Sequence, residues 1–313
     1  MPTRDSPSSA RQRQASLRVF GDAQWGNGRR WHARGSLHYC RESMSIADDV
    51  LGTAFYYANR PGREPEQRLG DLLGLTARYR ADALAARLLR ANPRVRSGPF
   101  AGMVLPVGGT EGCLAPKLLG CYESELHEPI AARVCAGYHA VINIGCAEGF
   151  YAVGLARALP GATVHAFDSD ERAQRACRET ASANGVADRV EIGGTLDPDG
   201  LERLCAALAA KGDVLVVCDI EGAEAELLDP TRAPSLARTD LLVELHPMFV
   251  AGCDALITQR FTATHEMARI GQRGRDDGAF PEIGGWSQLD RFLALWEFRP
   301  PENDWLSAVR KRA

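Results

Sequence analysis

From Ala140 to Phe261 the chain alternates short apolar runs with helix-patterned segments, and no other feature restricts its fold as much. The strand-like runs are Ala140–Ile144, Thr163–Phe167, Val190–Ile192, Asp213–Cys218 and Leu241–Leu245. Helical patterns follow them at 150–159, 171–184, Leu201–Ala210, Ala223–Leu228 and around Ala255–Phe261. Val- and Ile-rich strands without polar alternation are buried on both faces, which calls for a parallel sheet covered by helices on each side. The ending departs from this rhythm. Phe261–Ile270 and Leu293–Phe298 read as a strand pair joined by a Gly/Asp-rich loop and a short helix, so an antiparallel edge is expected.

The part ahead of this series is less regular. Residues 1–17 are polar, Arg/Ser-rich and aperiodic, which reads as a flexible tail; an organellar transit peptide is the alternative. Residues 19–38 show no clear period. Between Pro65 and Ala91, Leu69, Leu72, Leu73, Leu75, Tyr79, Leu84, Leu88 and Leu89 fall mostly on one helical face, ended by Asn92-Pro93. Gly70 and Gly74 allow two helices there, and packing, a lid or a dimer contact are the roles to weigh. Gly98–Gly109 reads as a short strand or hairpin. Leu114–Val134 is helical in its second half, burying Leu118, Leu119, Tyr122, Leu126, Ile130 and Val134. Its acids, Glu123, Glu125 and Glu128, read mostly as a solvated face. The expected division is a tail at 1–17, a mainly helical extension or lid at 18–113, and a catalytic domain at 114–313.

Bulk properties remove several function classes. A net charge of −3 and a pI near 6.2 give no basic footprint for nucleic acid. No apolar stretch is long enough to span a bilayer, and no signal-peptide pattern opens the chain. The nine cysteines show no CxxC spacing, and Cys146, Cys205 and Cys218 sit in apolar runs as buried thiols. A reducing, cytoplasmic setting is expected.

The chemistry centres on Val141-Ile142-Asn143-Ile144-Gly145-Cys146-Ala147-Glu148-Gly149-Phe150-Tyr151. A strand, a glycine-spaced turn and a helix in that order aim backbone N–H groups at a nucleotide-like ligand. Strand two ends in Asp168, 19 positions after Gly149, close to the spacing of an acid that accepts from ribose hydroxyls. A helix N-cap is the structural role that competes for it. A nicotinamide enzyme and an S-adenosylmethionine enzyme both fit to this point. The turn lacks the third glycine of G-x-G-x-x-G, and the fourth strand ends in Asp219-Ile220-Glu221-Gly222-Ala223-Glu224. Acids there suit a sulfonium cofactor better than a pyrophosphate.

With these motifs the chain resembles the class I S-adenosylmethionine-dependent methyltransferases, and among them the FkbM-type family, over about Leu118–Pro300. The blocks that carry the resemblance are Asn143–Tyr151, Phe167-Asp168, Asp219–Glu224 and Val243-Glu244-Leu245-His246. Asn143 stands where many class I enzymes have an acid, and Ala147 where many have a second glycine. The resemblance implies a Rossmann-like seven-stranded, mostly parallel sheet with helices on both faces, an antiparallel edge strand and an N-terminal helical extension. It implies S-adenosylmethionine at Asn143, Gly145, Cys146, Ala147, Glu148, Gly149, Asp168, Ser169, Gly194, Thr195 and Asp219, with Gly193–Thr195 along the adenine. It also implies that strands four and five are neighbours.

Residues two apart on a strand point the same way, so Asp219 with Glu221, and Glu244 with His246, form a polar cluster at the carboxyl ends. His246, ordinarily titrating near 6.5, is the expected base, with Asp219 and Glu221 orienting the acceptor. No metal is expected; Asp219, Glu221 and His246 are the alternative ligand set. His265, Glu266 and Trp286 either line the acceptor pocket or, more simply, pack. The expected reaction is methyl transfer to a small-molecule hydroxyl, of a sugar or a natural-product scaffold. The alternatives are an NAD-dependent oxidoreductase and a non-catalytic partner-binding module. No nucleic-acid or membrane partner is expected, and a homodimer is left open.

Overall fold

The computed structural model describes residues 46–106 and 113–312. The expected tail, residues 18–45 of the expected extension and residues 107–112 lie outside the described residues. Two helices come first, α1 (Ile46–Ala58) and α2 (Pro65–Ala91), then α3 (Leu114–Leu119) and α4 (His127–Ala136). The alternating series follows as β1 (Ala140–Ile144), α5 (Phe150–Ala158), β2 (Thr163–Phe167), α6 (Glu171–Ala183), β3 (Val190–Gly193) and α7 (Pro198–Ala209). It continues with β4 (Val214–Cys218), α8 (Glu224–Leu227), β5 (Asp240–Glu244), α9 (Cys253–Phe261) and β6 (His265–Ile270), then α10 (Gln288–Ala294) and β7 (Trp305–Arg310).

The seven strands form one sheet in the order β3-β2-β1-β4-β5-β7-β6. β1 pairs in parallel with β2 and β4, β2 with β3, and β4 with β5, while β7 runs antiparallel to both β5 and β6. This is the mostly parallel sheet with an antiparallel edge that the strand pattern called for, in the Rossmann-like seven-stranded form that the resemblance implied. Its period of two sorts the core into two layers. Val141, Val164, Ala166, Leu215, Val217 and Leu242 face one apolar layer, shared with α5. Ile142, Ile144, Val216, Cys218, Leu241 and Val243 face the other, shared with α7 and α9.

Four expectations need correction. The last strand is Trp305–Arg310, not Leu293–Phe298: Ser287 Oγ accepts from Asp290 N at 3.2 Å and starts a helix, α10, that runs into the beginning of that apolar run. Residues 65–91 form the expected helix without a break, because interior glycines weaken a helix without breaking it. Its apolar face is not all buried: Leu84 and Leu88 are inside, whereas Leu69 and Leu73 stay outside, since only the later half meets α3 and α10. The 114–134 stretch is split by Gly120 at φ 82° and by Glu123 in the left-handed region. The expected 98–109 strand is a single bridge, Arg94 to Val104.

Candidate active site

The β1–α5 turn is shaped by close approach. Gly145 has φ 80°, and a Cβ there would lie 1.6 Å from the carbonyl oxygen of Asp219 at the end of β4. Only glycine lets the two strand ends come so near. Gly149, at φ 91°, opens α5. Asp168 closes the turn from β2: Oδ2 accepts from Ala147 N and Oδ1 from Asp170 N, both at 2.9 Å. The N-cap of α6 is Asp170, not Asp168. Asp168 is half-buried and, as a carboxylate, keeps lone pairs for a further donor.

Asn143, one residue before the end of β1, lies on the sheet face shared by Val217 and, two residues on, Asp219. It is buried, and neither Oδ1 nor Nδ2 has a hydrogen-bond partner. A buried amide in that state needs a ligand or water. Ser169, Gly194 and Thr195 lie exposed beside the ends of β2 and β3. Two turn side chains point elsewhere than expected. Glu148 is fully buried in an ion pair with Lys117, and Cys146 is buried against the thiol of Cys177. Only their backbone remains for a ligand.

The ends of β4 and β5 bring together Asp219, Glu224, Glu244 and His246. His246 Nδ1 lies 2.7 Å from Glu224 Oε1, while Nε2 lies 3.6 Å from Asp219 Oδ1 and 3.4 Å from Glu244 Oε2. Glu224 is anchored by the N–H groups of Ile220 at 3.0 Å and Gly222 at 3.2 Å. Glu221 is not part of this cluster as expected. The chain leaves extended geometry at φ 55°, and its side chain is exposed. Glu224, which the alternation rule passed over, takes its place.

Burial would lower the pKa of His246, but its hydrogen bonds to Glu224 and Glu244 prevail and lift it to about 10. The ring is therefore a cation at neutral pH, not the free base its residue type suggests. Burial would raise Glu244, yet the His246 hydrogen bond and the Arg299 charge hold it at about 2. Asp219 is raised well above the usual range, first by burial and then by the Glu244 charge beside it. A quarter of its side chain, 26%, still faces the opening, against 6% for Glu244.

Behind this cluster lies a second layer that the sequence did not reveal. Arg299 Nη2 donates to Glu244 Oε1 at 2.9 Å and Nη1 to Glu125 Oε1 at 2.6 Å; Arg275 Nη2 donates to Glu125 Oε2 at 2.8 Å. Glu123 accepts from Tyr151 Oη and, at 3.2 Å, from Trp305 Nε1. Glu123 and Glu125, expected in solvent, are buried by these partners. Burial pushes the Glu123 carboxyl up, the Glu244 charge adds to it, and the result is about 8. Glu123, Ala147, Glu221 and Phe298 are the non-glycine residues at positive φ among the described residues; Ala147 and Glu221 lie in the turns after β1 and β4, and Phe298 precedes Arg299 in the chain. Strain gathered in one place marks where the fold is shaped by something other than packing.

A cavity of about 220 Å³ opens beside Arg299, lined by Gln272, Arg273, Arg275, Phe292 and Trp296. His265 is away from it, packed on Phe261 with Nε2 bound to the Thr239 carbonyl at 2.8 Å. Trp286 stacks under Arg87, and Glu266 is exposed on the outer strand. All three are structural.

No family model matches the chain, and no curated protein does. Solved structures do. An O-methyltransferase from Bacillus cereus in complex with SAH is 11% identical, matched over 83% of this chain and 97% of its own, with a TM-score of 0.42. The O-methyltransferase TomG from Streptomyces achromogenes, involved in tomaymycin synthesis and solved with SAM, is 16% identical over 85% and 99%, with a TM-score of 0.40. A putative O-methyltransferase from Klebsiella pneumoniae is 11% identical over 84% and 97%, with a TM-score of 0.39.

Proposed function

We propose that this chain is an S-adenosylmethionine-dependent methyltransferase of the FkbM type, acting on a hydroxyl of a small molecule such as a sugar or natural-product scaffold. The observation that carries the reading is the charge of the ligand edge. The glycine turn opens towards Asp168, Asp219 and Glu244, with carboxylates where a dinucleotide would bring phosphates. With Asp219 protonated and His246 cationic, Asp168, Glu224 and Glu244 still leave this edge net negative, so a pyrophosphate is disfavoured there and a ligand carrying a sulfonium and an ammonium is favoured. This favours the methyl donor over the nicotinamide alternative.

The residues fit the donor. Asn143 supplies an unpartnered amide beneath the turn, the 145–149 backbone faces the methionine part, and Asp168 has lone pairs for ribose hydroxyls. When bound, S-adenosylmethionine supplies an electrophilic methyl group on a cationic sulfur. Asp219, on the open side of the cluster, orients the acceptor hydroxyl or the donor's amino group. Glu244 and His246 hold Asp219 in place, and Glu224 fixes the ring of His246. The Arg299 cavity is the acceptor pocket.

Calorimetry with S-adenosylmethionine and S-adenosylhomocysteine tests the reading. Binding in the micromolar range is expected, and silence at high micromolar ligand would refute it. A partner-binding module that merely keeps the fold would bind the cofactor without transferring labelled methyl to any acceptor in a cell extract.

A further inference from the structure

We infer that Asp219, Glu244 and His246 form a binding site for one divalent first-row metal ion, with Glu224 as the outer carboxylate that orients the histidine. This ligand set is neither the turn nor the acid pattern that the sequence suggested, because Glu221 is excluded from it.

The argument begins with His246. Its Nδ1 faces Glu224 Oε1 at 2.7 Å and donates to it, so Nε2 is the nitrogen that can bind, and an ion there displaces to solvent the proton that Nε2 carries in the cationic ring. Nε2 in turn faces two carboxylate oxygens, Asp219 Oδ1 at 3.6 Å and Glu244 Oε2 at 3.4 Å. The Asp219 and Glu244 carboxyls are in hydrogen-bonding contact with each other. The two edges that meet at Nε2 match a tetrahedral metal face, where bonds of about 2.1 Å place ligands about 3.4 Å apart, and an ion would take the place of the Asp219–Glu244 hydrogen bond on the third. A ligating histidine whose other nitrogen is held by a carboxylate is the usual outer-sphere arrangement of such sites.

Two observations outside the triangle agree. Glu224 is completely buried, and its Oε2 has no hydrogen-bond partner, so the outer carboxylate has unspent capacity at this place. Glu244 is braced from behind by Arg299 Nη2 and Asn303 Nδ2, at 2.9 and 3.3 Å on its Oε1, which leaves Oε2 facing His246. One histidine and two carboxylates suit Mn²⁺, Fe²⁺, Co²⁺ or Zn²⁺ rather than a soft ion. Three protein ligands leave open positions on the Asp219 side, facing the opening, as in a catalytic site. If the methyltransferase reading holds, an acceptor hydroxyl on the ion loses its proton more readily, or a diol chelates it. The ion site itself does not depend on that reading.

The test uses the full chain, stripped with EDTA and titrated with MnCl₂ and ZnCl₂ by calorimetry, with Co²⁺ as the spectroscopic probe. One ion per chain is expected, with Co²⁺ visible bands of four- or five-coordination. Asp219→Asn and His246→Gln should each weaken Mn²⁺ binding by more than about 100-fold, and Glu224→Gln by about 10- to 100-fold. Glu221→Gln should stay within about fivefold of the native chain. Circular dichroism melts identify any variant that has failed to fold, and the native stoichiometry stands apart from the variants. No binding at millimolar Mn²⁺ and Zn²⁺, or affinities that the Asp219, His246 and Glu224 substitutions leave unchanged, overturns the site. Because metal binding is read without cofactor or acceptor, failure to bind S-adenosylmethionine is a separate result.

Discussion

Gly145→Ala separates two reasons for a glycine at the ligand turn, and its size follows from the geometry. The residue has φ 80°, which costs an alanine about 1 kcal/mol wherever the surroundings are open. Here they are not open. The new Cβ would sit 1.6 Å from the Asp219 carbonyl oxygen, a backbone atom that no rotamer change can move, and real Cβ contacts do not fall below 3.0 Å. Relief requires the ends of β1 and β4 to part by roughly 1.4 Å, the difference between those distances. That motion breaks the hydrogen bond from Asp219 N to the Ile144 oxygen, now 2.9 Å, and disturbs the cores on both sheet faces. A loss above about 4 kcal/mol is expected, enough to leave a marginal domain largely unfolded.

Two controls divide this loss. Gly185 also has positive φ, at 66°, with nothing within 4 Å of its Cβ position, so Gly185→Ala should cost only about 1 kcal/mol. Gly161 has open space and no positive φ, so Gly161→Ala should be near neutral. Urea denaturation followed by circular dichroism ranks the three. Equal midpoints for the 145 and 185 variants would refute the close approach of the strand ends as the reason for glycine.

Other expectations concern the buried charges. Lys117→Met should cost roughly 3–5 kcal/mol by leaving Glu148 buried without its cation, and Lys117→Met with Glu148→Leu should recover most of it in thermal melts. Glu123 titrates near 8 in the folded chain against the ordinary 4.5, so the folded state binds the extra proton across that window. Stability therefore falls as pH rises from about 4.5 through 8, and Glu123→Gln should flatten this part of a melting-temperature profile taken in EDTA; parallel profiles would contradict the shift. Tyr138→Phe removes the 2.7 Å bond to Asp240 and should cost about 1 kcal/mol in urea, with cofactor affinity untouched. Asp168→Ala should weaken S-adenosylmethionine binding at least about tenfold in calorimetry, an energy near 1.4 kcal/mol.

The sheet was legible because its evidence is local. β1 and β4 are buried at every position and apolar at all but Asn143, and each lies between two other strands. The last strand was misplaced for an equally local reason. The run Leu293–Phe298 is apolar, but Ser287 and Asp290 start a helix just ahead of it, and a capping signal outranks an apolar tail. Trp305–Arg310 was passed over because its burial does not follow the period of two expected of a strand with one wet face.

At the site, what could be read from the sequence depended on how far each partner lies along the chain. Asp219 and His246 follow from strand ends and the rule that alternate residues share a direction. Glu224 breaks that rule because the backbone turns at Glu221, and its carboxylate folds back onto the N–H groups of Ile220 and Gly222. An acid two residues after a glycine, at the first position of a short helix, is the signal that marks it in retrospect. No comparable signal exists for Glu123 and Glu125. Glu125 is buried against Arg299, which is 174 positions away, and only the sheet order brings their elements together. A carboxylate in a helical stretch with no visible cation is normally a solvated group. Glu125 is buried because the segment after α10 returns beside β5 before β7 begins, delivering Arg299 to Glu125 and Glu244 together. The pair that sets the electrostatics of the ligand edge is therefore a consequence of topology, and substituting Arg299 should disturb Glu244 and Glu125 jointly.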